Sequence, residues 1–193
     1  MAKYKYKPLL WVGLLLATVS CERPTPPTSA EAEASYDLTA YLAQQRQELE
    51  AERPMVLKSV ATQGLAPEVV ETSEVDWEDE LAVFEEADLN RPSLQEYYTK
   101  QEQVLEDGSV AVEYRKLPEA APQVHYLRLL LSPKGQLRQL TATLQDKNLI
   151  YYSQRNIALS TDPQTGDIAS YNVDGVQKMI FGDSLHYEVK ANL

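Results

Sequence analysis

Histidine, cysteine and converging carboxylates are the side chains that most often carry chemistry, and this chain is sparing with the first two. Among 193 residues there are two histidines, His125 and His186, and one cysteine, Cys21. A nucleophile–histidine–carboxylate relay needs a histidine beside a nucleophile, and a catalytic zinc needs three protein ligands. Two histidines on separate predicted strands supply little for either. His186 alternates onto a polar face with Glu188, and His125, on a predicted strand face with Leu127, Leu129 and Leu131, reads as a hydrogen-bonded core residue. The glycines are scattered, and none opens a helix after a strand, which argues against a phosphate loop and nucleotide chemistry. Glu74, Asp76, Glu78, Asp79 and Glu80 fall mostly on a predicted helix, where successive carboxylates point in different directions. Asp88-Leu89-Asn90 begins like a calcium loop but meets Pro92 where a further oxygen ligand belongs. An acid–base pair for glycoside hydrolysis only has to meet in space, and spacing singles out none. The chain is therefore expected to be non-catalytic, with no cofactor and no metal.

Tyrosine is the residue in surplus. Ten of the twelve follow Cys21, and Tyr114, Tyr126, Tyr151, Tyr152, Tyr171 and Tyr187 fall on predicted strands. A phenol has an apolar body and a polar tip, which suits a half-buried sheet surface. The same side chains can line a groove for a small apolar or sugar-like ligand. Tyr114, Tyr126, Tyr151, Tyr171 and Tyr187 are the candidate ligand-facing residues.

Cys21 ends a different pattern. Lys3, Lys5 and Lys7 precede an apolar run from Leu9 to Val19, and Ser20 leads into the cysteine. A basic, then apolar, then small-residue order is that of an export signal. The apolar run is too short for the roughly 20 residues that a spanning helix needs. Thr18-Val19-Ser20-Cys21 resembles the lipobox read by the lipoprotein signal peptidase, with threonine where that family usually carries leucine. The resemblance implies that residues 1–20 are a lipoprotein signal peptide, that the Cys21 thiol carries palmitate-like chains, and that the new amino terminus is often acylated too. Each buried methylene contributes about 0.8 kcal/mol, and two chains hold firmly where one holds reversibly. With a single cysteine, no intramolecular disulfide forms. Residues 21–35, with Pro24, Pro26 and Pro27 among Thr, Ser, Ala and Glu, read as a flexible tether, some 40 Å long if extended at about 3.1 Å per residue.

Charge divides the rest. Residues 22–107 carry 21 acidic and 6 basic side chains, whereas residues 108–193 carry 8 and 9. So negative a first half repels phosphate backbones, which argues against nucleic acid as a partner. It disfavours anionic headgroups as well, leaving the acyl anchor on Cys21 as the membrane contact. An acidic surface keeps an exported domain soluble and also suits a basic envelope protein as partner.

The elements that must position these side chains follow from periodicity. Leu38, Tyr41, Leu42, Gln45 and Leu49 share one helical face behind an Asp37 cap, and Pro54 ends that helix. Residues 55–62 read as a strand and 64–67 as a turn. Asp76 caps a second, acidic helix to about residue 88, with Trp77, Leu81 and Phe84 on one side. Asn90 and Pro92 start a short helical segment through Tyr98. The period then becomes two, and Asp107-Gly108 marks a hairpin. Strands are expected at 110–117, 124–131, 137–144, 149–159, 168–173, 176–181 and 185–191, with Asp174-Gly175 among the turns. Short connections force antiparallel neighbours. The expected fold is α+β: a single domain over 36–193, with N-terminal amphipathic helices packed on a C-terminal antiparallel meander of about seven strands, long enough to curl into a half-barrel.

The acidic segment from Trp77 to Asn90 and the tyrosine-rich strands ending in Gly175, Gln177 and Lys178 resemble uncharacterised envelope lipoproteins of the Bacteroidota type. That resemblance implies a cell-envelope location and no assigned activity. The expected role is a non-catalytic interaction or structural module, anchored at the outer membrane facing the periplasm. The alternative is a periplasmic carrier or binding protein for a lipid or other small apolar ligand.

Overall fold

Asp37 caps the first helix: in the computed structural model, which describes residues 36–193, its carboxylate accepts the Ala40 N–H at 2.9 Å and α1 runs Leu38–Glu52. The helix stops where Arg53 enters the left-handed region at φ 48° and Pro54, lacking an N–H, cannot extend it. Asp76 caps α2 (Trp77–Glu85) by accepting from the Glu78 and Asp79 N–H groups, and acidic residues fill the first turn, where the helix dipole favours them. A single turn, α3 (Pro92–Gln95), follows. The expected signal peptide over 1–20, Cys21 and the tether to residue 35 lie outside the described residues. Among the described residues, no helix is long and apolar enough to cross a membrane.

Nine antiparallel strands form one open sheet: β1 (Val56–Thr62), β2 (Glu68–Thr72), β3 (Tyr98–Val104), β4 (Val110–Lys116), β5 (Val124–Leu131), β6 (Leu137–Lys147), β7 (Tyr151–Thr161), β8 (Ile168–Met179) and β9 (Ser184–Asn192). Their spatial order is β2-β1-β9-β8-β7-β6-β5-β4-β3. From β3 to β9 the chain is an up-and-down meander, and the β1–β2 hairpin joins it by pairing β1 with β9. The class is α+β, mostly β.

The expected strand count needs correction in several places. β2 and β3 are the two edges of the sheet, exposed along most of their length, so no apolar alternation marks them in the sequence. Asp174-Gly175 is no turn but the middle of β8. Gly175 pairs with Arg155 on one side and Tyr187 on the other, and a Cβ there would lie 2.2 Å from the Tyr187 ring, which fills the space a side chain would take. β7 begins only at Tyr151 and β8 ends at Met179, so Leu149, Ile150, Ile180 and Phe181 belong to turns. A bulge in β5 also re-aims His125. Val124 pairs with Leu144 and Tyr126 with Thr143, so the extra residue lets Val124 and Leu127 both face the core while His125 leaves the leucine row.

The core follows from the register. Val112, Leu129, Leu140, Leu159 and Tyr171 are successive cross-strand partners, and Tyr114, Leu127, Ala142 and Ile157 form a second buried row on the same face. Leu38, Leu42, Leu49, Trp77, Leu81 and Phe84 from the helices complete this cluster. Among the described residues this cluster runs from Leu38 to Ala191, inside one compact unit that holds a hydrophobic core, as a domain able to fold alone must. The connection over residues 73–97 leaves one edge strand and enters the opposite one. At about 4.8 Å per strand it must traverse roughly 40 Å if the sheet is flat, and that traverse lays α2 across the apolar face.

One buried polar residue fixes α1. Gln45 accepts the Ile168 N–H at 2.7 Å through Oε1 and donates through Nε2 to Glu48 at 2.8 Å and Asp167 at 3.3 Å. Tyr41 donates its hydroxyl to the Gly166 carbonyl at 3.0 Å, one turn away. Replacing Gln45 with Ala leaves the Ile168 N–H buried without this acceptor, and the unfolding free energy is expected to fall by about 2 kcal/mol. A lower urea midpoint at an unchanged m-value is the readout.

Candidate functional site

The five candidate ligand-facing tyrosines do not share one surface. Tyr114 and Tyr171 are buried on the inner face, in adjoining ladder rows. Tyr187 lies inward over Gly175, and Tyr151 begins β7 on the same face, both half-buried. Tyr126 is on the opposite face, with the Arg115 guanidinium 4.7 Å from its ring centroid. Strand parity explains the split: 114, 171, 187 and 151 fall on inward positions of their own strands and 126 on an outward one.

Tyr171 serves the seam between helix and sheet. Its hydroxyl donates to Glu80 of α2 at 2.6 Å, its ring meets Phe84 edge-on at 5.8 Å, and Glu80 also holds the Lys58 ammonium of β1. A few residues further on, Arg155 of β7 donates two hydrogen bonds to Glu86, at 2.9 and 2.6 Å, and Gln123 donates to the same carboxylate. Sequence reading placed neither seam, because the spacing of Lys58, Glu80 and Tyr171 has meaning only after β1 and β8 come to lie under α2.

Tyr114 borders a hollow of about 360 Å³ on the flank of the sheet. Val110, Val112, Leu129 and Leu131 form an apolar wall, Tyr36 stands over it, and the edge strand β3 contributes Lys100 and Glu102, paired at 2.6 Å. An apolar wall with a charged rim suits a small amphipathic molecule, and the volume lies within the range of small-ligand sites. The centre of the domain is different: Leu38, Leu42, Leu81, Phe84, Leu127, Leu140 and Leu159 are all essentially fully buried there.

His125 borders a second hollow, of about 570 Å³, with Lys116, Lys147 and Leu149. Burial and the neighbouring Lys116 charge push its pKa below the ordinary histidine value. Among the described residues, no group of three or more His, Cys, Asp or Glu side chains could hold a metal ion.

Two further surfaces are conspicuous. Glu68, Glu71, Glu74, Asp76, Glu78 and Asp79 are all exposed, forming an acidic stretch that includes the edge strand β2 and the start of α2. At the ends of β7 and β8, Leu149 and Phe181 project into solvent, 93% and 97% exposed. The sequence did contain a signal for the second surface: Asn148 and Gly182-Asp183 are turn formers directly beside these apolar residues, and a strand cannot run through them. Comparison with known proteins finds no matching family model, no similar curated protein and no similar solved structure.

Four phenols are held from water strongly enough to shape the alkaline limit of the fold. Burial raises the pKa of Tyr36 and of Tyr98 to about 12 and drives Tyr41 and Tyr171 higher still, the last with help from Glu80. In the unfolded chain each ionises near pH 10. The folded state thus keeps protons that the unfolded state releases, and this stabilisation is complete below pH 10 and is lost as pH rises toward and through the folded values. Ultraviolet titration is expected to show these four tyrosines silent at pH 11 and ionising together with the loss of near-ultraviolet circular dichroism.

Proposed function

We propose that the chain is an exported cell-envelope lipoprotein whose domain acts by docking another envelope protein rather than by catalysis. In this reading residues 1–20 are removed, Cys21 carries the acyl anchor, the tether over residues 21–35 spaces the domain from the bilayer, and the domain faces the periplasm from the outer membrane. The sequence pattern around Thr18-Val19-Ser20-Cys21 supports the anchor. The protein is expected to incorporate an alkyne-tagged palmitate in cells, and Cys21→Ala is expected to abolish that labelling. Labelling that survives the substitution would remove the anchor from Cys21.

One observation carries the docking reading. The carboxylates at the seams are already engaged, Glu80 by Lys58 and Tyr171 and Glu86 by Arg155 and Gln123, whereas Glu68, Glu71, Glu74, Glu78 and Asp79 are exposed on and after an open edge strand. An open edge offers backbone groups to an added strand, and the acids select a basic one. Pull-down from solubilised envelopes is expected to hold a partner at low salt and to release it between about 0.1 and 1 M, as the Debye length falls from roughly 10 to 3 Å. Glu71→Lys with Glu74→Lys is expected to lose the partner at every salt concentration. Capture indifferent to both salt and charge reversal overturns the acidic surface as the docking site.

The hollow beside Tyr114 favours a second reading, a binding protein for a small apolar or amphipathic ligand. There the nine-stranded sheet curls as a half-barrel about α1 and α2. The ligand sits at the flank bounded by Tyr36 and Tyr114, because the helices' own side chains fill the centre.

A further inference from the structure

Two neighbouring hairpin tips present a concentrated apolar surface. The β6–β7 turn carries Leu149 and Ile150 and the β8–β9 turn carries Ile180 and Phe181. The Ile180 N–H donates to the Ile150 carbonyl at 3.0 Å, so the two tips lie side by side. All four side chains are more than half exposed. Behind them runs a cross-strand row in which Tyr152 pairs with Lys147 on one side and Lys178 on the other. Lys116, which donates to the Ala120 carbonyl at 3.2 Å, stands with Lys147 in the hollow beside Leu149. Acids share this end as well: Asp146 lies 3.6 Å from Arg155, Glu86 is held by Arg155 and Gln123, Glu119 lies in the β4–β5 connection beside Ala120, and Asp183 sits in the β8–β9 turn.

We propose that this end of the sheet is a membrane-contact surface, in which Leu149, Ile150, Ile180 and Phe181 enter a phospholipid bilayer while Lys116, Lys147 and Lys178 meet the headgroup phosphates. Charge is the first argument. In a chain of net charge −11, the apolar tips are backed by three lysines, an amphipathic order that suits the boundary between acyl chains and anionic headgroups. Lysine stems can lie along apolar material while their ammonium groups stay at the phosphates, and Tyr152 occupies the position between them that interfacial tyrosines favour. Shape is the second argument. Phe181 and Leu149 project from convex turns with almost no contact to the rest of the domain, so a protein partner would need matching pockets, whereas a bilayer yields to any convex shape. The inference depends on the envelope reading only for the presence of a membrane nearby.

The test uses the compact unit over residues 36–193, which holds the described core and has no Cys21, sedimented with vesicles of phosphatidylethanolamine and phosphatidylglycerol. The domain is expected to pellet with the vesicles. Leu149→Ser with Phe181→Ser is expected to weaken partitioning by roughly tenfold or more. Both residues stand clear of the core, so the variant should retain the wild-type melting curve. Lys147→Ala with Lys178→Ala is expected to weaken binding only when phosphatidylglycerol is present. The proposal is overturned if the wild-type domain stays in the supernatant, or if the Leu149/Phe181 variant pellets equally well. It is also overturned if the tips prove to drive self-association in sedimentation velocity with no vesicle binding. None of these results touches the palmitate-labelling test, which reads the anchor alone.

Discussion

A single connection decides how this sheet is covered. The chain leaves β2 at one edge and must enter β3 at the other, so residues 73–97 cross every strand between. Such a traverse over a sheet whose one face is leucine-rich has to bring its own apolar side chains, and Trp77, Leu81 and Phe84 recur at helical spacing to do so. α1 precedes β1 and contributes Leu38, Leu42 and Leu49 to the same cluster. Without these two helices the rows through Leu129, Leu140 and Leu159 would face water. The meander from β3 to β9 is local in sequence; its cover comes from residues far away.

Apolar cover alone does not determine how a helix sits on a sheet, since many placements bury similar area. Polar seams choose among them. Glu80 sits between Lys58 and Tyr171, on strands separated by β9, and a carboxylate partly withdrawn from water is costly unless such partners are in place. Glu86 with Arg155 repeats the device at the end of α2, and Gln45 does so for α1 by accepting from the backbone of β8. Each seam joins an element before residue 90 to one after residue 150. These contacts restrict rotation and sliding of the helices, and they spend polar groups that an active site would otherwise have available.

The same logic separates what the sequence made legible from what it hid. Local signals carried through in part: Asp37 and Asp76 are caps, Asp107-Gly108 is a turn, and residues 185–191 lie in a strand, but of its alternating apolar residues only Ala191 is buried while Leu185 is exposed. Edge strands were hidden because alternation records burial, and β2 and β3 bury little. Gly175 read as a turn because its reason for being glycine, the Tyr187 ring, comes from a neighbouring strand. His125 read as core because a bulge is invisible to a count by twos. Of the candidate site, the five tyrosines were legible as strand residues, but which face each one takes depended on register, and Tyr126 separated from the others. The seams paired residues too far apart for any spacing rule.

Exposure of apolar side chains at the hairpin tips differs in kind from exposure along the sheet edges. Val69 and Val70 of β2 are exposed too, but Glu68 and Glu71 flank them directly, and charged neighbours on an edge strand are a common guard against unwanted strand pairing. The tips have no such interleaving. Leu149-Ile150 and Met179-Ile180-Phe181 are uninterrupted by charge, with Lys147 and Lys178 before them and Asp183 two residues beyond Phe181. A solvated turn is normally made of glycine, asparagine, aspartate and serine, since these residues satisfy the backbone at no apolar cost. Asn148, Gly182, Asp183 and Ser184 already do this here; Asn148, for one, accepts the Ile150 N–H at 3.0 Å. The large apolar side chains are therefore additional to what the turns require. Leu149 and Phe181, almost wholly exposed, contribute little to the packing of the domain, and the proposed bilayer contact would give them a role.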